Sequence, residues 1–305
     1  MGMSSSPGSP SFAVSLSHAL ADVTETVGKS VVSLAARRFP ASGVAHAPDL
    51  VLTAAHAVAR ASRVAVRAPG EEAEVAAQLV GQDPALDVAL LRVPGARLEP
   101  LRWRAADGLR AGSLVLAISR PRGALRARLG LLGGVGPGFR TPWGGRVDAA
   151  LEVELSPRPG LAGAALADAE GQGVGLVVSG LGRSRRMVLP PATLGRVVEE
   201  LLTHGRVRRG YLGVGTQGVR IPTSLHGVTG HAHGLLVVAV EPGSPADAAG
   251  LAFGDVLLEI GGTPTGDAHD LLGTLADAKV GEPLSVKLLR AGAVLERSVT
   301  VGVRP

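Results

Sequence analysis

Apolar and polar positions follow two rhythms along this chain. Between Ser15 and Val32, Leu16, Ala19, Leu20, Val23 and Val27 recur every three or four residues. That spacing predicts an N-terminal helix leading into the short strand VVSLAA. From there to about residue 190 the rhythm changes to apolar runs of four to eight residues separated by turn residues. The runs include VAVRA (64–68), VALLRV (88–93), SLVLAI (113–118), LGLLGGV (129–135), ALEVEL (150–155) and VGLVVSG (174–180). No long amphipathic helix interrupts them, which predicts a mostly β domain built as a barrel or sandwich.

The helical rhythm returns once, in PATLGRVVEELLTH (191–204). Pro191 suits a first turn, Leu194, Val197, Val198, Leu201 and Leu202 share one face, and Gly205 is a stop signal. A basic hinge, GRVRRGYLGVG, follows. Beyond it the pattern predicts an independent small domain with strands at 234–240, 255–260, 284–290 and 294–302 and helices near 245–250 and 267–278. The expected organisation is a Ser/Pro/Gly-rich disordered segment over 1–12, a first domain over 13–205 and a second over 206–305.

Composition narrows the chemistry. The 305 residues suffice for two domains, and 43 Gly, 21 Pro and 46% hydrophobic residues suit many short strands and tight turns. With no cysteine, disulfides, thiol catalysis and Cys-ligated zinc are excluded. His226, His231 and His233 lie in a Gly-rich stretch without helical spacing or an evident carboxylate, and are expected to form a solvated loop rather than a metal site. No metal or other cofactor is called for. Net charge is +5, with Arg clustered in RPRGALRAR (120–128), RSRR (183–186) and RVRR (206–209). Aromatics are only 2%, so the stacking groups of a nucleic-acid binder are scarce and nucleic acid is not the expected partner. No run approaches the roughly 18 apolar residues of a membrane span. The first residues, MGMSSSPGSPSF, lack a basic and apolar leader, which predicts a cytoplasmic chain, with export as the alternative.

Two residues carry candidate acid–base chemistry. LTAAH (52–56) presents His56 at a strand end, where an imidazole can act as general base. In DPALDVALLRV, Asp87 stands at the mouth of an apolar strand, where a carboxylate can accept from Nδ1–H and fix the tautomer. The rival, Asp83, precedes Pro84 and reads as a turn residue.

Taken in order, SGV (42–44), LTAAH, DPALDVALL (83–91), GSLVLAISRPRG (112–123), GQGVGLVVSG, MVLPPATLGRVVEELL and RRGYLGVG resemble the HtrA family of chymotrypsin-like serine proteases. The resemblance runs over roughly residues 15 to 303 and implies a trypsin-like double β-barrel followed by a PDZ domain. It places His56 and Asp87 on the first barrel and the nucleophile loop on the second.

At that loop the family pattern is Pro-Gly-x-Ser-Gly-Gly-Pro-Leu. Here it reads Pro159, Gly160, Leu161, Ala162, Gly163, Ala164, Ala165, Leu166, with Ala162 in the nucleophile's place. The resemblance implies a catalytic trio reduced to His56, Asp87 and a degenerate Ala162, with the oxyanion donors being the amides of Gly160 and Ala162. Alanine has no atom that attacks a carbonyl, so a pseudoprotease is expected. Because Ala164 disfavours positive φ, a relaxed oxyanion hole is expected as well. Ser156 and Ser179 are the alternative hydroxyls for a working serine endopeptidase acting in protein quality control. Leu176, Val177, Val178 and Ser179 are expected to line a small apolar specificity pocket.

In the second domain the resemblance implies capture of peptides or protein C-termini by β-strand addition at Tyr211, Leu212, Gly213 and Val214. Leu271 and Leu275, at i and i+4, are expected in the core. The family commonly assembles as homotrimers, and the aromatic residues that usually lock them are scarce here.

Overall fold

The computed structural model describes residues 11–36, 41–59, 61–155, 160–178 and 187–303. The chain divides into two compact units, with the main boundary between Arg206 and Val207. The first holds twelve strands: β1 (Val31–Ala35), β2 (Ala41–Ala47), β3 (Leu50–Ala54), β4 (Val64–Arg67), β5 (Val75–Asp83), β6 (Val88–Arg92), β7 (Leu114–Ser119), β8 (Arg126–Arg140), β9 (Arg146–Glu154), β10 (Ala164–Asp168), β11 (Gly173–Val178) and β12 (Met187–Leu189). Among the described residues three α-helices accompany them: α1 (Phe12–Gly28), α2 (Ala55–Val58) and α3 (Pro191–His204).

Strands β1–β6 close into a barrel in the order β1-β2-β3-β6-β5-β4, and the other six form a sheet in the order β12-β11-β10-β7-β8-β9. Each has its own apolar filling. Val32, Val51, Val66, Ala89 and Leu91 meet inside the first, and Val115, Leu132, Leu161, Leu166, Val174 and Val177 inside the second. Burying a Leu or Val side chain stabilises a fold by about 1.5–3 kcal/mol, so these two clusters, rather than any surface pairing, hold the barrels. Helix α3 ends as its sequence predicts: Gly205 is left-handed at φ 69°, and its N–H donates to the Leu201 carbonyl at 2.9 Å. The N-terminal helix is shifted from its expected span, because β1 already begins at Val31.

The second unit contains β13 (Gly210–Tyr211), β14 (Val214–Arg220), α4 (Thr223–Thr229), β15 (His233–Val240), α5 (Pro245–Ala248), β16 (Val256–Ile260), β17 (Thr263–Pro264), α6 (Ala268–Asp277), β18 (Pro283–Arg290), β19 (Ala293–Thr300) and β20 (Gly302–Val303). Its main sheet runs β14-β15-β16-β18-β19, with β17 beside β16 and a separate β13–β20 pair. Leu212, Leu235, Val237, Leu257, Leu271, Leu275, Val286 and Val299 fill the core. Leu271 and Leu275 thus face inward, as their spacing predicts. A capping box between Asp267 and Asp270 starts α6.

The stretch around the histidines differs from the solvated loop expected. Residues 223–229 are helical, the His226 Nε2 lies 2.9 Å from the Ile221 carbonyl, and the His231 Nε2 lies 2.8 Å from the Glu259 carboxylate. Glu259 is 28 positions away in sequence, on β16, so only the sheet brings it there. Hydrogen bonds from His231 and from Lys287 hold the Glu259 carboxyl below its ordinary range.

Candidate active site and peptide-binding loop

Strand register assembles the acid–base pair. Ala54 on β3 pairs with Val88 on β6, so the residues just beyond that pair, Ala55 and Asp87, face one another. The Ala55 N–H donates to the Asp87 carbonyl at 3.0 Å. One residue further, the His56 N–H donates to Asp87 Oδ1 at 2.8 Å. The imidazole Nδ1 stands 2.7 Å from Oδ2 and 3.0 Å from Oδ1. Asp87 reaches this pose at φ 56°, a left-handed conformation that Asp adopts more readily than most residues because its short side chain bonds locally. The His56 side chain is 48% exposed and that of Asp87 16%. The imidazole is therefore about half exposed, while Nδ1 is committed to the carboxylate. Asp83 is buried at the end of β5, and its Oδ1 accepts the Ala85 N–H at 3.0 Å, the turn role its sequence context predicts.

The loop containing Ala162 is bound to the first barrel through Ser42. The Ser42 N–H donates to the Ala162 carbonyl at 3.0 Å, the Thr53 hydroxyl donates to the Ser42 carbonyl at 2.7 Å, and the Arg120 N–H donates to the Ser42 hydroxyl at 2.8 Å. Thr53 lies three residues before His56. A short hydrogen-bonded path therefore joins the Ala162 bend to the strand that carries the imidazole. Arg120 extends the path: its guanidinium donates to the Val31 and Gly28 carbonyls, anchoring the C-terminal end of α1, and burial lowers its pKa. Motif reading singled out none of Thr53, Ser42 and Arg120 for this role. The signal was present in SGV and LTAAH, but only pairing distances reveal it.

Gly160 and Gly163 have φ of 89° and 72°. A Cβ on Gly163 would stand 2.0 Å from the Ser42 carbonyl oxygen, so no other residue fits there without displacing backbone. Ala164, by contrast, lies inside β10 without positive φ, fully buried beside Ala165. The left-handed positions of the bend are 160 and 163, and both are glycine. Among the described residues, the amides of Gly160 and Ala162 donate to no carbonyl. Pro159, Ser156 and Ser179 fall outside the described residues.

The expected specificity pocket is corrected too. Leu176, Val177 and Val178 are buried between β10 and β12, and Val177 uses its carbonyl to accept the Gly163 N–H at 2.9 Å. A cavity of about 510 Å³ does open on this unit, but it is lined by Trp103, Arg104, Asp148, Pro190 and Pro191 among others, and by none of His56, Asp87 and Ala162.

In the second unit the Tyr211–Val214 run forms a turn whose carbonyls are tied inward. The Leu212 carbonyl accepts the Ala246 N–H at 2.8 Å, and the Gly213 carbonyl accepts the Glu241 N–H at 2.8 Å. In a planar trans peptide the N–H points opposite to the C=O. The amides of Gly213 and Val214 are thereby turned the other way, toward the open side. The pairing agrees: Val214 faces Val240, and a bond from Glu241 to Gly213 makes that facing pair one that exchanges no bonds of its own. Strand β14 is the sheet's first strand, so among the described residues its far edge has no strand partner. Gly213 needs its φ of 83°, because a Cβ there would meet Ser244 Cβ at 2.2 Å.

These two architectures define a class: a trypsin-like peptidase domain followed by a PDZ domain. The family model for the trypsin-like peptidase domain matches residues 41–176, and that for the PDZ domain matches residues 210–301. The chain is a homologue of the HtrA and DegP proteins. It is 32% identical over 265 residues to a probable periplasmic serine endoprotease, DegP-like, of Ectopseudomonas mendocina (strain ymp), covering 85% of this chain and 55% of that protein. It is 30% identical over 261 residues to the corresponding protein of Marinomonas sp. (strain MWYL1), covering 84% and 55%. The chain thus spans about half the length of these curated relatives. Among solved structures, a variant of the HtrA-type protease AlgW with a decapeptide superposes with a TM-score of 0.74 at 25% identity, covering 93% of this chain and 97% of that one. The cytoplasmic expectation is overturned by the periplasmic relatives. It rested only on the make-up of the twelve N-terminal residues.

Proposed function

We propose that this chain is a catalytically inactive HtrA-like protein that captures peptides or protein C-termini through its PDZ unit, as a regulator or scaffold in the periplasm. One observation carries the reading. The His56–Asp87 pair and the two left-handed glycines of the loop are all in place, while the bend they serve presents only the methyl group of Ala162. With no nucleophile, the base has no proton to take, and acyl transfer stops before its first bond forms. Among well-studied serine proteases such a loss costs about 10⁶ in turnover. The PDZ unit supplies the complementary half: outward amides at Gly213 and Val214 beside a free strand edge suit a terminal carboxylate and an added strand. The test is a titration with C-terminal peptides alongside fluorophosphonate labelling. Saturable, carboxylate-dependent binding without labelling is expected.

A second reading, an active serine endopeptidase using another hydroxyl, is favoured by the retained His56–Asp87 bond and by the activity named for the relatives. Labelling that disappears on His56→Ala would establish it and end the first reading.

A further inference from the structure

The arginine run RPRGALRAR stands on the first unit with most of its charge unmatched. Arg120 is committed to the Val31 and Gly28 carbonyls. Elsewhere in the unit Arg67, Arg104 and Arg196 each meet a carboxylate. Among the described residues, Arg126 and Arg128 make no side-chain hydrogen bond and no ion pair. Arg126 is exposed, whereas Arg128 is half-buried, with its Nε enclosed and given no acceptor. A buried donor without an acceptor, on a cation without a counter-charge, carries a cost that an anionic ligand relieves. Strand register shows where the two lie. Arg126 pairs with Ser119 and Arg128 with Ala117 of β7, so both share the face of Ala117, Leu132 and Leu166. Neither cross-strand partner is acidic. Glu154 of β9 alternates with Val153 and Leu155, which pack on that same filling, and so belongs to the opposite face. Pro121, at the head of the run, touches the bend that holds Ala162: a Cβ on Gly160 would stand 3.3 Å from its Cγ.

We propose that Arg126 and Arg128 form a binding row on the first unit for an acidic, extended polypeptide segment. Alternate residues of a strand stand about 6.5–7 Å apart, and an extended ligand spaces its own alternate side chains equally. Two carboxylates at i and i+2 therefore meet the two guanidinium groups together, and each planar fork can hold a carboxylate by parallel hydrogen bonds. Polypeptide is favoured over nucleic acid because no aromatic side chain stands beside the row to stack a base. Its in-strand and cross-strand neighbours are Ala127, Leu129, Ser119 and Ala117. It is favoured over a lipid surface because Arg128 is half-buried, within reach of a narrow chain but not of a flat sheet of headgroups. The row lies on the first unit alone, so it holds whether or not the PDZ unit captures C-termini.

The experiment uses the full chain and a fluorescein-labelled decapeptide alternating Glu and Val, amidated at its end so that it offers no terminal carboxylate. Its analogue carries Gln for every Glu. In anisotropy titrations the acidic peptide is expected to bind saturably and at least about tenfold more tightly than the analogue. Arg126→Gln, at the exposed position, is expected to weaken that binding about twofold to fivefold, and Arg128→Gln, at the half-buried one, about tenfold. Arg128→Lys keeps the charge without the fork and is expected to fall between Arg128→Gln and the unaltered chain. It also keeps the test decisive should Arg128→Gln fold poorly. Arg97→Gln removes the same charge from an exposed position beyond β6 and is expected to leave binding within about twofold. Equal binding of the two peptides, or a loss in Arg97→Gln as large as in the row variants, overturns the proposal, since net charge alone would then account for the affinity. A short DNA duplex or a vesicle of phosphatidylcholine and phosphatidylglycerol that binds more tightly than the acidic peptide, and loses its affinity in the same row variants, overturns it as well. Failure of C-terminal capture by the PDZ unit leaves this readout untouched, because the amidated peptide has no free terminus to capture.

Discussion

Restoring one oxygen at Ala162 tests how much of a catalytic site remains. The bend at 160–163 is held by the Ser42 N–H on the Ala162 carbonyl at 3.0 Å and by the Gly163 N–H on the Val177 carbonyl at 2.9 Å. Neither bond involves the side chain at 162, so Ala162→Ser adds a hydroxyl without altering what fixes the backbone. On the other side, Nδ1 of His56 is committed to Asp87, the orientation in which Nε2 is the nitrogen that acts as base. Loss of a nucleophile costs about 10⁶ in turnover, or about 8 kcal/mol. With base, orienting carboxylate and turn glycines present, Ala162→Ser alone is expected to raise ester hydrolysis by at least about 10³, near 4 kcal/mol of that barrier. Fluorophosphonate labelling should appear at residue 162 and vanish when His56→Ala is added. The reasoning locates the loop's backbone demands at Gly160 and Gly163, not at Ala164. A silent Ala162→Ser chain that becomes active only with Ala164→Gly and Ala165→Pro would falsify it.

Three further outcomes follow from the geometry. Gly163→Ala places a Cβ 2.0 Å from the Ser42 oxygen and 2.7 Å from the Thr53 hydroxyl at φ 72°; left-handed strain of about 1–2 kcal/mol plus disrupted hydrogen bonds of about 1 kcal/mol each predict a loss of roughly 3 kcal/mol or more, measured by denaturant unfolding of the first unit. Asp255 is buried and takes a two-pronged bond from Arg290 at 2.6 and 2.8 Å. Burial alone would raise its pKa, but the Arg290 and Ala252 hydrogen bonds and nearby cations hold it below the ordinary value. Asp255→Asn is therefore expected to destabilise the second unit by about 2–4 kcal/mol near neutral pH. That contribution is complete above the unfolded carboxyl value of about 4 and disappears as pH falls through the lower folded value, so parallel melts of the two proteins should converge in acid. Finally, Gly213→Ala drives a methyl into Ser244 and is expected to weaken free-acid peptide binding at least tenfold, read by anisotropy; unchanged binding would mean that the turn does not hold the ligand.

Much of this was legible in the residues, for reasons that differ from place to place. The helix at 191–204 carries its apolar face, its first-turn proline and the glycine that follows it all within fifteen positions, so local chemistry sufficed. Strands β15, β16 and β18 could be read because each buries several apolar residues, while β19 buries only Val299 and was read from its alternation of apolar and polar residues. Strand β14 passed unread: VGTQGVR buries little and carries two glycines, because it lies at an edge. Helix α4 escaped for a similar reason, since glycine and threonine hide its seven residues. The closeness of His56 and Asp87 depends on β3 and β6 pairing in one register, a fact that no spacing along the chain contains. The Ser42 hub shows the same limit. Its hydroxyl, amide and carbonyl serve Arg120, Ala162 and Thr53, which lie 78, 120 and 11 positions from it in sequence.

Strand β14 brings a hazard along with its use. A sheet margin with unclaimed amides and carbonyls can recruit any extended chain, including an identical margin on another molecule, and growth of that kind ends in fibres. Here the margin is spoiled for endless stacking. In its pairing with β15 the residue Val238 stands extra between the partners of Gly215 and Thr216, a bulge that increases the local twist, and Arg220 sets a positive charge at its far end. A short visitor can lie along such a strand, whereas the twist and the charge disfavour a long, flat template.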